Sequence, residues 1–214
     1  HSRKLRRGAH RSNCFKIVLR ELSEDFDVLG VEERLRLIAQ QGVPNYFGPQ
    51  RFGRGGANLG LADAWSAGKR LPRHKRSMAI SSARSFIFNE QLQQRVLGKT
   101  WNQILAGDVA NLDGTGSIFE VDAVDAKLLQ RCSEMDIHPS GVLWGDGAVA
   151  NIAPAGRENW LVALTKARLK VSHRSFRLRV DDLHWTIGQA SLALQFKLGR
   201  GAFATSVLRE IAHT

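Results

Sequence analysis

The run from Gly42 to Asn58, GVPNYFGPQRFGRGGAN, limits the fold more than any other stretch of the chain. Gly42, Gly48, Gly53, Gly55 and Gly56 break a helix and weaken a strand. The segment therefore reads as an irregular loop whose backbone takes positive φ and can approach a ligand closely. Between the glycines stand Asn45, the rings Tyr46, Phe47 and Phe52, and the cations Arg51 and Arg54. A splayed-out nucleotide needs such a set: a ring to stack on, an amide for base edges and a guanidinium for phosphate. The same composition also suits a connection whose rings plug a core, and composition leaves both readings open. Two other nucleotide loops are excluded. GRGGANLG follows no buried strand and precedes no suitably spaced acid, and the run contains no GK[ST].

The flanking segments predict an α+β chain. FKIVLREL, within 13–22, reads as a strand, and VEERLRLIAQQ (31–41) as an amphipathic helix closed by Gly42. Residues 59–67 read as a helix, after which Pro72 makes Lys69, Arg70, Arg73, Lys75 and Arg76 a basic loop or linker. Residues 77–97 give the strongest helix, with Ile80, Ala83, Ile87 and Leu92 near helical spacing. Phe86 and Phe88 on it are expected in the core. Asp113-Gly114 predicts a hairpin between Val109 and the run Ile118–Val121, and residues 123–135 a helix. HPSGVLWGDGAVANIAP (138–154) reads as loop, and 157–171 as a helix basic on one face through Lys166, Arg168 and Lys170. Segments 176–182, 184–187 and 191–198 alternate like antiparallel strands, SLALQFKL most clearly, and 202–213 closes as a helix.

The chain has 214 residues, 43% of them hydrophobic, enough for one large or two small domains. A formal charge of +11 favours a polyanionic partner, nucleic acid before membrane. The arm His1–Arg11, with Arg6 and Arg7, can lie along phosphates or be a solvated terminus. Cys14 and Cys132 are far apart and argue for a reducing compartment. The histidines and cysteines show no zinc spacing, and no apolar run reaches the length of a membrane span. The expectation is a cytoplasmic protein without metal.

No reactive group emerges from the residues themselves. There is no GxSxG elbow, Asp181 and Asp182 would point to opposite faces of a strand, and Asp122 and Asp125 read as helix N-terminal charge.

Four segments, KLRRGAHRSNCFKIVLRE, GVPNYFGPQRFGRGGANL, KRSMAISSARSFIFNEQL and GRGAFATSVLREI, together resemble the TruD family of tRNA pseudouridine synthases. They occur in the family's order, span nearly the whole chain, and include NYFGxQRFG, which is highly specific to it. The resemblance implies an enzyme that isomerises uridine 13 of certain tRNAs to pseudouridine without cofactor or metal. It also implies a mixed-sheet catalytic domain, here partial, in two pieces (1–70 and 178–214) around an inserted α+β TRUD domain (71–177). Asn45 is expected to contact the target nucleotide and Phe203 to line the uridine pocket, with Phe47 and Arg51 as further substrate contacts. Arg6, Arg7, Arg73, Lys75 and Arg76 are the expected RNA-binding cations, tRNA the partner, and a monomer the favoured state. In the family the essential Asp lies in a GLKDR-type motif ahead of KLRRG, whereas this sequence opens at HSRKLRRG. The middle is also expected to be short for the family, with material missing around 146–157. The stretch alone is thus expected to be inactive, and the competing reading is a non-catalytic RNA-binding fragment or remnant of that enzyme.

Overall fold

Alternation along SLALQFKL becomes a strand that buries every second side chain, and the smaller of two compact units is assembled on it. The computed structural model describes residues 10–23, 25–148 and 155–211, so Arg6 and Arg7 lie outside the described residues. Along the chain run β1 (Ser12–Arg20), α1 (Val28–Gln41), β2 (Val43–Pro44), α2 (Pro49–Phe52), α3 (Ala57–Ser66), α4 (Arg73–Leu97), β3 (Val109–Leu112) and β4 (Ile118–Glu120). There follow α5 (Ala126–Ser133), β5 (Ile137–Leu143), α6 (Glu158–Lys166), β6 (Ser172–Ser175), β7 (Arg177–Leu178), β8 (Asp181–Ile187), β9 (Ser191–Gly199) and α7 (Ala204–Ile211). The α+β class expected from the sequence is the one that forms. The chain divides into two compact units, His1–Val43 with Leu178–Thr214, and Pro44–Arg177.

In the first unit the sheet order is β1-β9-β8, antiparallel throughout. Leu192, Leu194, Phe196 and Leu198 of β9 are buried on one face. Phe15, Ile17 and Leu19 of β1 stand in register opposite Phe196, Leu194 and Leu192, and the rings of Phe15 and Phe196 stack at 5.5 Å. Val31, Leu35 and Ile38 of α1, at helical spacing, and Val207 and Ile211 of α7 complete the core. Asp27 caps α1 by accepting the Gly30 N–H at 2.9 Å. Asp181 and Asp182 do not converge. A bulge interrupts β8 there, Asp182 takes φ 49°, and each acid pairs with its own cation, Arg179 at 2.7 Å and Lys197 at 2.6 Å.

The second unit is centred on α4. Its Ala79, Ala83 and Ile87 pack with Ala62 of α3 and with Trp160 and Leu164 of α6. Through Ala62, α3 shares this core with α4, and the two compact units meet in the chain at Val43/Pro44. The basic run is not a linker throughout. Arg73, Lys75 and Arg76 form the first turn of α4, because Pro72 takes the N-cap position, where its missing N–H and fixed φ cost nothing.

A four-stranded antiparallel sheet, β4-β3-β5-β6, lies in the same unit. β3 and β4 form the hairpin expected around Asp113-Gly114. The strand β5 corrects the loop expected over 138–154, at least for 137–143. Pro139 and Gly141, which read as loop punctuation, have packing reasons instead. Pro139 pairs with Ala110 while its carbonyl accepts the Phe176 N–H at 2.8 Å, and the Phe176 ring fills the space a Cβ on Gly141 would need. The helix expected over 157–171 stops at Lys166, since Arg168 turns left-handed (φ 50°) and leads into β6. Arg168 and Lys170 therefore belong to no helical basic face.

A buried polar chain ties these strands together. The Arg177 Nε–H donates to His138 Nδ1 at 2.8 Å, its Nη2 to the carbonyls of Cys132 and Ile137, and His138 Nε2 bonds Asp113 Oδ1 at 2.9 Å. With Nδ1 accepting, the imidazole proton stands on Nε2.

Candidate nucleic-acid interface

The glycine-rich loop is held by a short backbone pairing at β2 and, beyond it, by side chains of the loop, α4 and β6. Beyond Pro44 the Asn45 N–H donates to the Phe176 carbonyl at 2.8 Å, and Asn45 Nδ2 donates to the Ser175 carbonyl at 2.9 Å. Two residues on, Asn89 of α4 bonds both backbone groups of Phe47, accepting its N–H and donating to its C=O, each at 2.9 Å. The Arg51 carbonyl receives two donors, Ser82 Oγ at 3.1 Å and Asn58 Nδ2 at 3.2 Å. Gly53, at φ 78°, turns the chain after α2, and a Cβ there would come within 3.1 Å of Asn58.

Asn45, Phe47 and Arg51 are thereby brought together, and a residue that sequence reading did not single out joins them. Arg174 of β6 donates Nη2 to Asn45 Oδ1 at 2.5 Å. Its guanidinium carbon lies 4.2 Å from the Phe47 centroid, and that of Arg51 lies 5.1 Å from the same centroid. Phe47 meets Phe88 edge-on at 5.6 Å, so the ring is a buried platform for two cations. Arg51 Nη1 donates to Ser81 Oγ at 2.7 Å. Burial, and after it the like charge of Arg51, pushes the Arg174 guanidinium down to about 10, still cationic at neutral pH. Asn45 is only 6% exposed; by valence its amide keeps one N–H and one lone pair beyond the bonds to Ser175 and Arg174. Phe88 is fully buried and Phe86 packs edge-on against Trp160, so both rings belong to the core, as expected.

The only sequence signal for Arg174 was the strand alternation of SHRSFRL, which puts it and Phe176 on one face; both reach Phe88. Asn89 carried no local signal, since its partner is 42 residues away.

Arg73, Lys75 and Arg76 are exposed in a helical first turn that contains no acid. The positive end of the helix dipole disfavours cations there, by about 0.3–1 kcal/mol each at low salt, and a polyanion would relieve that repulsion. Phe203 belongs to the other unit. It is partly buried, and its carbonyl accepts the Ser206 N–H at 3.1 Å at the start of α7. Ala202 and Ala204 pack on the core cluster there, and Phe203 is not part of that cluster. That unit also has a cavity of about 420 Å³, lined by Leu22, Phe26, Arg34 and Ile211 among others, which includes none of the expected site residues. Among the described residues no cluster of His, Cys, Asp or Glu could hold a metal ion, and no helix is long and apolar enough to cross a membrane.

A family model described as tRNA pseudouridine synthase D (TruD) matches residues 1–60 and 59–211. The chain is 44% identical to a tRNA pseudouridine synthase D of Nitrosococcus oceani over 100% of its own length and 63% of that protein. It is 40% identical to the Methylococcus capsulatus protein of the same name, covering 99% of this chain and 62% of that one. The chain thus spans under two thirds of the length of these relatives. Among solved structures, a Methanosarcina mazei protein assigned to the same type superposes with a TM-score of 0.63 at 19% identity, over 95% of this chain and 69% of that one. That likeness supports the fold.

Proposed function

The chain belongs to the tRNA pseudouridine synthase D (TruD) family, and from that premise we propose that it is the tRNA-holding part of an enzyme converting uridine 13 of certain tRNAs to pseudouridine. The reaction breaks the N-glycosidic bond, turns the base and rejoins it through carbon, using an aspartate in a segment ahead of KLRRG. In this reading a catalytic domain in two pieces, 1–70 and 178–214, carries the inserted domain 71–177 and works in the cytoplasm. The observation that carries it is the loop geometry: NYFGPQRFG, the segment most specific to the family, is clamped by Asn89, Asn58, Ser82 and Arg174. A loop ordered before the substrate arrives does not lose that ordering entropy on binding.

Each site residue has a physical task. Extruding a base costs a few kcal/mol, and stacking returns about 1–3 kcal/mol per base. Phe203, outside the core cluster, is the ring offered for that purpose. Asn45 offers its remaining amide valences to the nucleotide, Phe47 supports it from beneath, and Arg51 supplies positive charge. Arg73, Lys75 and Arg76, with Arg6 and Arg7 of the arm, attract the tRNA backbone.

The test uses a protein of the relatives' full length that carries this chain. Asn45→Ala and Phe203→Ala are each expected to lower tritium release from 5-tritiated uridine in tRNA by about tenfold or more, with circular dichroism unchanged. Unchanged turnover in both variants would remove these residues from the site.

A further inference from the structure

We propose that Arg51 and Arg174 together grip one backbone phosphate of the bound RNA beside the Phe47 ring, an inference that rests on the RNA-binding reading above. Arg51 is fixed at its root, where its carbonyl takes hydrogen bonds from Ser82 and Asn58. At its tip, Nη1 reaches Ser81, and among the described residues its buried Nε has no hydrogen-bond partner. A buried donor left unpaired is costly, so a site that leaves one is better satisfied with an acceptor present.

The second observation is the neighbour. Arg174, 129 residues from Asn45 in sequence, brings its guanidinium against the same ring, at 4.2 Å from the centroid against 5.1 Å for Arg51. Two guanidiniums on one small ring repel each other, and the ring quadrupole offsets only part of that repulsion. The like charge of Arg51 depresses the Arg174 guanidinium, on top of burial. An anion touching both groups removes the repulsion and accepts the orphaned Nε–H.

Phosphate fits this task better than carboxylate. A carboxylate offers two coplanar oxygens and matches one guanidinium fork, whereas a phosphodiester offers tetrahedrally spread oxygens that two separate forks can share. The excess of cations over the whole chain, +11, makes a polyanion the source of that phosphate. Because Arg174 also holds Asn45 Oδ1, phosphate capture and nucleotide positioning meet in one side chain.

Two measurements test the proposal on this chain. Fluorescence anisotropy with a tRNA transcript across a salt series is expected to show that Arg51→Gln lowers affinity about three- to tenfold and reduces the salt slope by about 1. Arg174→Gln is expected to do the same. The double variant should lose about 1 from the slope, not about 2, because both residues serve a single phosphate. Inorganic phosphate should independently shift the Nε–H resonance of Arg51, identified by its loss in Arg51→Lys, whereas equal chloride should not. An unshifted resonance with an unchanged slope in folded Arg51→Gln overturns the phosphate site while leaving RNA binding intact. A shifted resonance without any tRNA binding keeps the anion site and sinks the RNA reading instead. Should Arg174→Gln fail to fold, the Arg51 variants decide the outcome.

Discussion

The sheet of the first unit and the glycine-rich loop of the second hold their chains in place by opposite means. β9 is fixed by what it excludes from water: Leu192, Leu194, Phe196 and Leu198 alternate into a core built with α1 and α7. The loop is fixed by what it bonds: Asn89, Asn58, Ser82 and Arg174 reach its backbone or its Asn45 side chain. Apolar burial is spread over many small contacts, so any one of them can loosen without moving the strand. Side-chain bonds to a loop are few, directional and separately breakable. The loop thus gains a defined geometry for a ligand, and its order depends on individual polar atoms.

Breaking the apolar side of this contrast should have the largest effect. Phe196 is fully buried, stacks on Phe15 and faces it across the β1–β9 ladder. Phe196→Ala is expected to lower unfolding stability by about 3–5 kcal/mol, read from denaturant midpoints at constant slope. A loss below about 1 kcal/mol would mean that β9 is not held chiefly by burial. On the polar side, Asn89→Ala removes both bonds to the Phe47 backbone. The expected cost is about 1–3 kcal/mol, concentrated in the loop, so amide exchange of Phe47 should speed up by more than tenfold. Unchanged protection of that amide would show that ring packing alone holds the segment.

The same contrast explains what could be read in advance. β9, α1, most of α4 and the β3–β4 hairpin obey local rules, period two, period 3.6 or a turn dipeptide, and each was legible in the residues. β5 was not, because Pro139 and Gly141 serve distant partners, Phe176 above all. The early start of α4 was hidden by a proline that ordinarily ends helices but at the N-cap begins one. At the candidate site Asn45, Phe47 and Arg51 stood out through composition and through the family segment. Arg174 lies 129 residues from Asn45, and only the fold brings it there. Polar clamps of this kind leave no periodic trace in the sequence, whereas an apolar face does.

The smallest predicted effect tests whether the apolar unit tolerates a carboxyl at its margin. Glu210 sits on α7 beside Ile211, and burial raises its pKa above the ordinary 4.5, with Arg209 and then Arg34 pulling the other way. A raised value means that the folded chain holds this proton more tightly than the unfolded chain does. The stabilisation is therefore complete below about pH 4.5, where both states are protonated, and is lost as pH rises through the folded value. Above that window the folded state carries a partly desolvated carboxylate that the unfolded state hydrates freely. Glu210→Gln cannot ionise, so its stability relative to the parent should improve steadily between pH 4 and pH 7. Solvent screening of a partly exposed group, together with the two arginines, keeps the gain small. Parallel denaturation series across that range would show it. A gap that stays constant or shrinks as pH rises would mean that the arginines outweigh burial, and that the margin of the apolar unit is held by charge pairing as the loop is held by hydrogen bonds.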